Sequence, residues 1–225
     1  MTRSHTMTLE SQADLNRAVR SLLKKDPRLA PILAVTGTPV LRRREPGFAG
    51  LARIIVGQQL STASASAIWG RLTTAFDPLL PEALRRATAP RLGRLGLSAA
   101  KIKTLKLIAA EILASHLDLD GLATLDADVA HATLTALHGV GPWTADVYLL
   151  FCLGHRDAWP AADLAIQEGI RRGLELDHRP TTKETMALGD AWRPYRGAAA
   201  HLLWAYVHAT RRATSAAKRE TAAPA

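Results

Sequence analysis

Residues 137–150, LHGVGPWTADVYLL, are too apolar for a surface loop and too broken for one helix. Gly139 and Gly141 permit positive backbone angles and close approach by another backbone. Pro142 suits the first turn of a new helix, where its missing N–H costs little. The stretch reads as helix, tight turn, helix. At the start of the second helix, N–H groups point outward and the dipole favours an anion. A phosphate fits there, and without side chains in the way it comes close. Such contacts hold a nucleic-acid backbone without reading its bases. The same letters also suit an ordinary turn between helices, with glycines as caps.

The rest of the chain is helical in pattern. In RGAAAHLLWAYVHAT, residues Ala199, Leu202, Leu203, Tyr206 and Val207 follow the i, i+3, i+4, i+7, i+8 spacing of one buried face. Ile102, Leu105, Ile108 and Ile112 nearly repeat it, with Ser98 as the N-cap. Phe48, Leu51 and Ile55 open another helix, and DADVAHATLTALH leads into the turn. Few stretches alternate with period two, and none is bounded like a hairpin. No repeat recurs at a fixed period. The expected class is all-α, a two-lobed helical bundle of roughly ten helices. Residues 1–212 form its two helical subdomains, with a cleft between the lobes as the place for a site. The basic turn RRREPG, 42–47, is a weak boundary. Residues 213–225 are small and polar, and disorder is expected there.

The formal charge is +9 and the sequence pI about 10.3. Such a balance points to an anionic partner, nucleic acid before membrane surface. Cys152 is the one cysteine. It cannot close an internal disulfide, and no thiolate set exists for zinc or an iron–sulfur cluster. In YLLFCLG it reads as a small buried hydrophobe. His131, His201 and His208 show no ligand-type pairing. The N-terminus, MTRSHTMTLESQADL, lacks the apolar core of a signal peptide. No segment approaches the ~18 apolar residues of a membrane span. A cytoplasmic chain without a membrane partner is expected.

LHGVGPWTA resembles the helix-hairpin-helix of the DNA glycosylase superfamily, in which a Gly/Pro-rich loop and an aspartate follow the hairpin. In WPAADLAIQEGIRRGL, Asp163 takes that place, twenty residues after Trp143 (163 − 143). IIVGQQLSTASASAIWGRL and LGLSAAKIKTLKLIAAEI look like two further segments of the alkylated-base branch, the 3-methyladenine DNA glycosylase II family. WRPYRGAAAHLLW looks like its C-terminal helix. The resemblance runs from about Phe48 to about Arg212. It departs at His138, where a proline is usual, and at Ala162, where some relatives have a second acid. Larger bacterial relatives also carry an N-terminal α/β domain that this chain is too short to contain.

The resemblance implies a monomeric, monofunctional glycosylase of base excision repair. It would flip alkylated purines of the 3-methyladenine and 7-methylguanine type out of double-stranded DNA. It would then hydrolyse the N-glycosidic bond. The alternatives are a non-catalytic damaged-DNA-binding protein, or a glycosylase for mismatched or oxidised bases. The resemblance assigns Asp163 as the catalytic carboxylate, stabilising positive charge on the sugar; a plain N-cap is the other reading. Trp143 and Trp204 match base-pocket positions, where an indole face attracts a cationic purine by ~0.5–2 kcal/mol; core packing is the other reading. Lyase members carry a lysine at the position of Trp143, and tryptophan forms no Schiff base. Leu137, His138, Gly139, Val140, Gly141 and Thr144 would grip the DNA backbone. Gln59, with apolar Leu60 next, stands where relatives insert a wedge; alternatively Gln58 and Gln59 cap or bridge helices. No cofactor is required and no iron–sulfur cluster is expected. The family's hairpin can hold Na+ or K+, here through the carbonyls of Thr135, Leu137 and Val140. Arg42, Arg43, Arg44, Arg193 and Arg196 are candidates for further phosphate contacts. Trp69 and Trp192 read as structural, and Trp159 as packing under the loop.

Overall fold

The computed structural model describes the backbone of residues 8–220 and the side chains of 8–212. Twelve α-helices and no β-strand occur among the described residues, as the helical pattern predicts. In chain order they are α1 (Gln12–Lys25), α2 (Ala30–Thr36), α3 (Gly47–Gly57), α4 (Thr62–Ala75), α5 (Pro81–Arg86) and α6 (Ala89–Arg94). Then come α7 (Ala99–Leu113), α8 (Ala127–Thr135), α9 (Pro142–Val147), α10 (Leu164–Gly173), α11 (Thr182–Asp190) and α12 (Arg196–Glu220). A π-helical turn, Tyr148–Cys152, continues α9. Two short helices exceed the sequence expectation. α5 and α6 have six residues each, with Pro81 first in α5 and Pro90 second in α6, and are too short to show a periodic face.

The chain forms two compact units, Arg43–His155 and the pair of segments Met1–Arg42 with Arg156–Ala225. The first boundary falls in the basic turn. The second, at 155–156, carries no composition signal.

In the Arg43–His155 unit, α3, α5, α6 and α9 pack around α7 and the π turn. Phe48, Leu51 and Ile55 of α3 are buried, as are Ile102, Leu105 and Ile108 of α7. Each such side chain contributes about 1.5–3 kcal/mol by leaving water. Ser98 caps α7, accepting from the Lys101 N–H. The π turn is buried throughout. Its Tyr148 hydroxyl accepts from the Gly47 N–H at 3.1 Å, supplying the start of α3 with the partner its own side chains lack. Cys152 is fully buried, which pushes its thiol pKa up to about 11.

In the other unit, α1, α2 and α10 pack against α12. Ala198, Ala199, Leu202, Leu203 and Val207 form the buried face of α12, and Tyr206 is half-buried. Its alanines let neighbours approach. Gly169 of α10 comes so near that a Cβ there would lie 3.2 Å from the Leu203 carbonyl oxygen. The α12 backbone stays helical through Glu220, including residues 213–220 where disorder is expected; residues 221–225 lie outside the described residues.

Trp192 is fully buried and donates its indole N–H to Asp26 at 2.8 Å. Trp159 meets it edge-on at 5.3 Å and donates to the Thr185 carbonyl. Asp26 also accepts from Arg28 through two guanidinium N–H groups, at 2.8 and 2.9 Å. Arg28 first, then Trp192, hold the Asp26 carboxyl at a pKa of about 2 against the desolvation that opposes them. A lowered carboxyl pKa adds stability above the unfolded value near 3.9, lost as pH falls through the folded value. Asp26→Asn should therefore cost about 2 kcal/mol at neutral pH, with the deficit closing between about pH 4 and pH 2. Urea denaturation of both proteins at the two pH values measures this; an equal gap at both contradicts it.

Candidate functional site

The predicted hairpin is present in the Arg43–His155 unit. α8 ends at Thr135, and the Val140 N–H closes the turn on the Leu137 carbonyl at 3.1 Å. Gly139 takes φ +78°, where a side chain is strained. A Cβ there would also fall 2.1 Å from Thr104 Oγ1 of α7. Gly141 is extended, not left-handed, and serves as the N-cap of α9. It contributes open space: a Cβ there meets nothing within 4 Å. His138, Gly139, Gly141 and Trp143 are exposed, and Leu137 is half-buried. Val140 and Thr144 are buried, so their side chains serve the protein and not a bound strand. The Thr144 hydroxyl accepts from Gln58 Nε2 at 2.8 Å. His131 of α8 faces Asp146 of α9 at 3.8 Å, tying the two arms.

The GQQLS stretch is the turn between α3 and α4. Gln59 sits in the left-handed region at φ +57° and is exposed, as is Leu60. The two glutamines divide the roles that the sequence leaves open. Gln58 is the bridge, donating to Thr144 and, at 3.4 Å, to the Gly139 carbonyl. Gln59 stands at the tip. Lys101 of α7, which the sequence does not single out, holds the base of this turn. Its ammonium donates to the carbonyls of Val56 and Gln58 at 2.7 and 2.9 Å. The contact caps the C-terminal end of α3, where a cation is favoured. Burial holds the Lys101 pKa below its usual value. Between α3 and α4 runs a trough of about 490 Å³, lined among others by Arg53, Trp69, Leu60 and Trp143.

In the other unit, Asp163 is the N-cap of α10. Its Oδ1 accepts from the N–H groups of Ala165 (2.8 Å) and Ile166 (3.0 Å), and from the indole of Trp204 at 3.1 Å. Both residues are half-buried. Trp204 is thus more than packing: α12 aims its indole N–H at the carboxylate. Gln167 steadies the preceding loop by donating to the Ala161 carbonyl at 2.9 Å. The result is a carboxylate of fixed position at the positive end of a ten-residue helix. Its charge is placed to stabilise a cation.

Two of the proposed phosphate contacts are corrected. Arg196 is 5% exposed and pairs with buried Asp157 at 2.9 Å. Arg193 pairs with Asp157 and Asp190. Asp157 therefore claims both guanidiniums for the fold, a pairing that sequence alone does not reveal. Tyr195 packs against the core of Leu9, Leu15 and Val19. His201 is buried against the Gly197 carbonyl and His208 is exposed. Among the described residues no group of three or more His, Cys, Asp or Glu side chains is placed to hold a metal ion. No helix among the described residues is long and apolar enough to cross a membrane.

Residues 52–194 match the HhH-GPD superfamily of base excision DNA repair proteins. The chain belongs to that superfamily. It is 31% identical over 199 residues to a protein of Mycobacterium tuberculosis named probable bifunctional transcriptional activator/DNA repair enzyme AlkA. That match covers 83% of this chain and 39% of the relative, so the chain spans well under half of that protein. It is also 31% identical over 168 residues to DNA-3-methyladenine glycosylase 1 of Schizosaccharomyces pombe, covering 73% of each. Among solved structures, a Schizosaccharomyces pombe 3-methyladenine DNA glycosylase in complex with abasic DNA superposes with a TM-score of 0.72 at 28% identity. That superposition covers 84% of this chain and 95% of that one. The HhH-GPD match contains the hairpin, the Gln59 turn and Asp163, and ends before Trp204.

Lys101→Met removes the donor to two carbonyls at the base of the Gln59 turn. It should cost about 1–2 kcal/mol. Amide exchange in residues 58–61 should quicken more than in α10. Hydrogen–deuterium exchange read by mass spectrometry checks this, and uniform quickening across the chain would refute a local role.

Proposed function

We propose that the protein is a monofunctional DNA glycosylase that extrudes alkylated purines from duplex DNA and hydrolyses their N-glycosidic bond. The observation that carries this is the Asp163 carboxylate, fixed at the N-terminus of α10 with the Trp204 indole donating to it. The name of the Schizosaccharomyces pombe relative, a DNA-3-methyladenine glycosylase, suggests the substrate class. The extruded purine, cationic from alkylation at N3 or N7, is held against an indole face, for which Trp143 and Trp204 are the candidates. The C1′–N bond breaks and its electron pair leaves with the base, which departs neutral. Positive charge develops on the sugar, where Asp163 stabilises it electrostatically. Water adds to C1′ and loses one proton to the solvent, leaving an intact abasic site. Trp143 offers no amine for strand cleavage.

The hairpin grips the strand through His138, Gly139 and Gly141, with the main chain of Leu137, Val140 and Thr144 behind them. Gln59 and Leu60 fill the gap left by the base. The carbonyls of Thr135, Leu137 and Val140 would be the ligands of a Na+ or K+ ion at the same turn. The Leu137 carbonyl accepts the Val140 N–H, and a carbonyl oxygen has a second lone pair. Such an ion would supply positive charge beside a strand phosphate. Cleavage of the glycosidic bond draws on no cofactor, and one chain acts alone.

Asp163→Asn tests the reading cleanly, because asparagine caps a helix about as well as aspartate and only the charge is lost. Release of methylated purine from alkylated duplex DNA should fall about a hundred- to thousandfold. Affinity for an abasic duplex should change little. Base release by the variant close to the parental rate would remove the assignment, and a parent that binds alkylated DNA without turnover would make the protein a damage-binding module.

A further inference from the structure

We propose that an apolar cavity in the Arg43–His155 unit, at the ends of α3 and α7 remote from the Gln59 turn, docks a short basic segment of a partner protein. An apolar side chain of the segment enters the cavity, and its lysines or arginines meet the rim. The cavity, of about 390 Å³, is formed by the loop entering α3, the 78–81 stretch at the start of α5, and the loop leaving α7. Phe48, Leu79, Leu80 and Ile112 supply its apolar wall, and Leu80 is 48% exposed there. α3 runs from this cavity to the Gln59 turn, and α7 runs back from that turn to the cavity. Ile112 lies about three turns beyond Lys101, about 16 Å along the helix. A strand held at the Gln59 turn therefore leaves the cavity open.

Charge selects the occupant. In a chain of net charge +9, Glu45, Asp118 and Asp120 line this cavity, and among the described residues no basic side chain does. Exposed Asp77 and Glu82 bracket the 78–81 stretch. Among the described residues no cation lies within 4.0 Å of the carboxylates of Glu45, Asp118 or Asp120. Residues 117–120 alternate, with the two leucines buried and the two aspartates exposed. Asp118 Oδ1 accepts from the N–H groups of Asp120 and Gly121 at 3.1 and 3.0 Å, which fixes this loop. A negative rim repels phosphate, so the strand itself is not the occupant. Among the described residues no group of three acids is placed to hold a metal ion, so the carboxylates are spread along the rim. They stand on two segments, the loop entering α3 and the loop leaving α7. A peptide with cations on both sides of an apolar residue meets both segments, as a single small cation does not. Opposite charges across such a rim guide encounter and fix register, while the enclosed apolar side chain anchors the complex.

The test is selection of a phage-displayed random heptapeptide library on the full chain, then fluorescence anisotropy with the enriched peptides. Recovered sequences should include a class with lysine or arginine on both sides of a large apolar residue, although most of this basic chain attracts acidic peptides. For that class, Asp120→Lys should weaken binding about fivefold and Glu45→Gln about twofold. Leu80→Asp should abolish it and Leu80→Met should keep it, with thermal unfolding unaltered in both. Recovery of no such class overturns the proposal, as does binding that survives both Asp120→Lys and Leu80→Asp. A dimer in sedimentation equilibrium that Leu80→Asp dissolves would make a second copy the occupant and equally overturn it. Leu80→Asp should leave affinity for a duplex with an abasic analogue unchanged. Weaker duplex binding by that variant would place the cavity on the DNA face and sink the partner assignment. The proposal does not rest on the glycosylase reading: peptide binding decides the cavity, and base release by Asp163→Asn decides the chemistry.

Discussion

One carboxylate oxygen does two jobs. Asp163 Oδ1 takes the N–H groups of Ala165 and Ile166, which begins α10, and the indole N–H of Trp204, which ties that helix start to α12. The close packing of α10 on α12 at Gly169 fixes the register between them, so the indole meets the carboxylate. Structure and chemistry therefore make the same demand on the residue. A cap needs an oxygen acceptor at this point on the chain. A catalyst of charge needs that acceptor ionised and immobile. The alternative that weighs against catalysis, a plain N-cap, turns out to be the means by which the carboxylate is held.

The second constraint lies in α7. Lys101 and Thr104 are three residues apart and share one face of the helix. Lys101 holds the base of the Gln59 turn, and Thr104 lies where a side chain at position 139 would have to go. One helix thereby sets the depth of the hairpin and the height of the exposed glutamine. Gln58 joins the two turns directly through Thr144. The left-handed backbone at Gln59 costs about 1 kcal/mol or more, a strain that persists only where surrounding contacts over-determine it. Lys101 and Gln58 are those contacts.

What was legible in the sequence was local. The buried faces of α3, α7 and α12, the Ser98 cap and the hairpin all follow from spacing within a few residues, and the structure has them. Position 139 needs its glycine and position 141 only benefits from one, yet both read alike in sequence because conformation and open space ask for the same letter. The six-residue α5 and α6 fall below any periodic signal. Pairings across tens of residues left no trace. Asp157 with Arg196, Asp26 with Trp192, Lys101 with Val56 and Asp163 with Trp204 are set by packing that no window contains. Arg193 and Arg196 read as phosphate contacts for this reason. Arg196 and Arg53 look alike in a charge count, but one is consumed by a buried acid and the other lies over an indole at the edge of a trough.

The same geometry argues for the substrate class. A carboxylate whose Oδ1 receives three donors is spent on holding a charge in place. It does its work when the substrate supplies the rest of the driving force. A purine made cationic by alkylation leaves as a neutral base and asks no proton of the protein. A neutral base needs an acid to leave, and position 162, where some relatives of the resembled family have a second acid, is alanine. Fixed charge and a self-leaving base suit each other, because electrostatic stabilisation is greatest where charge develops and nothing else must move. The capping role that makes Asp163 rigid is thus also what narrows the chemistry it can serve.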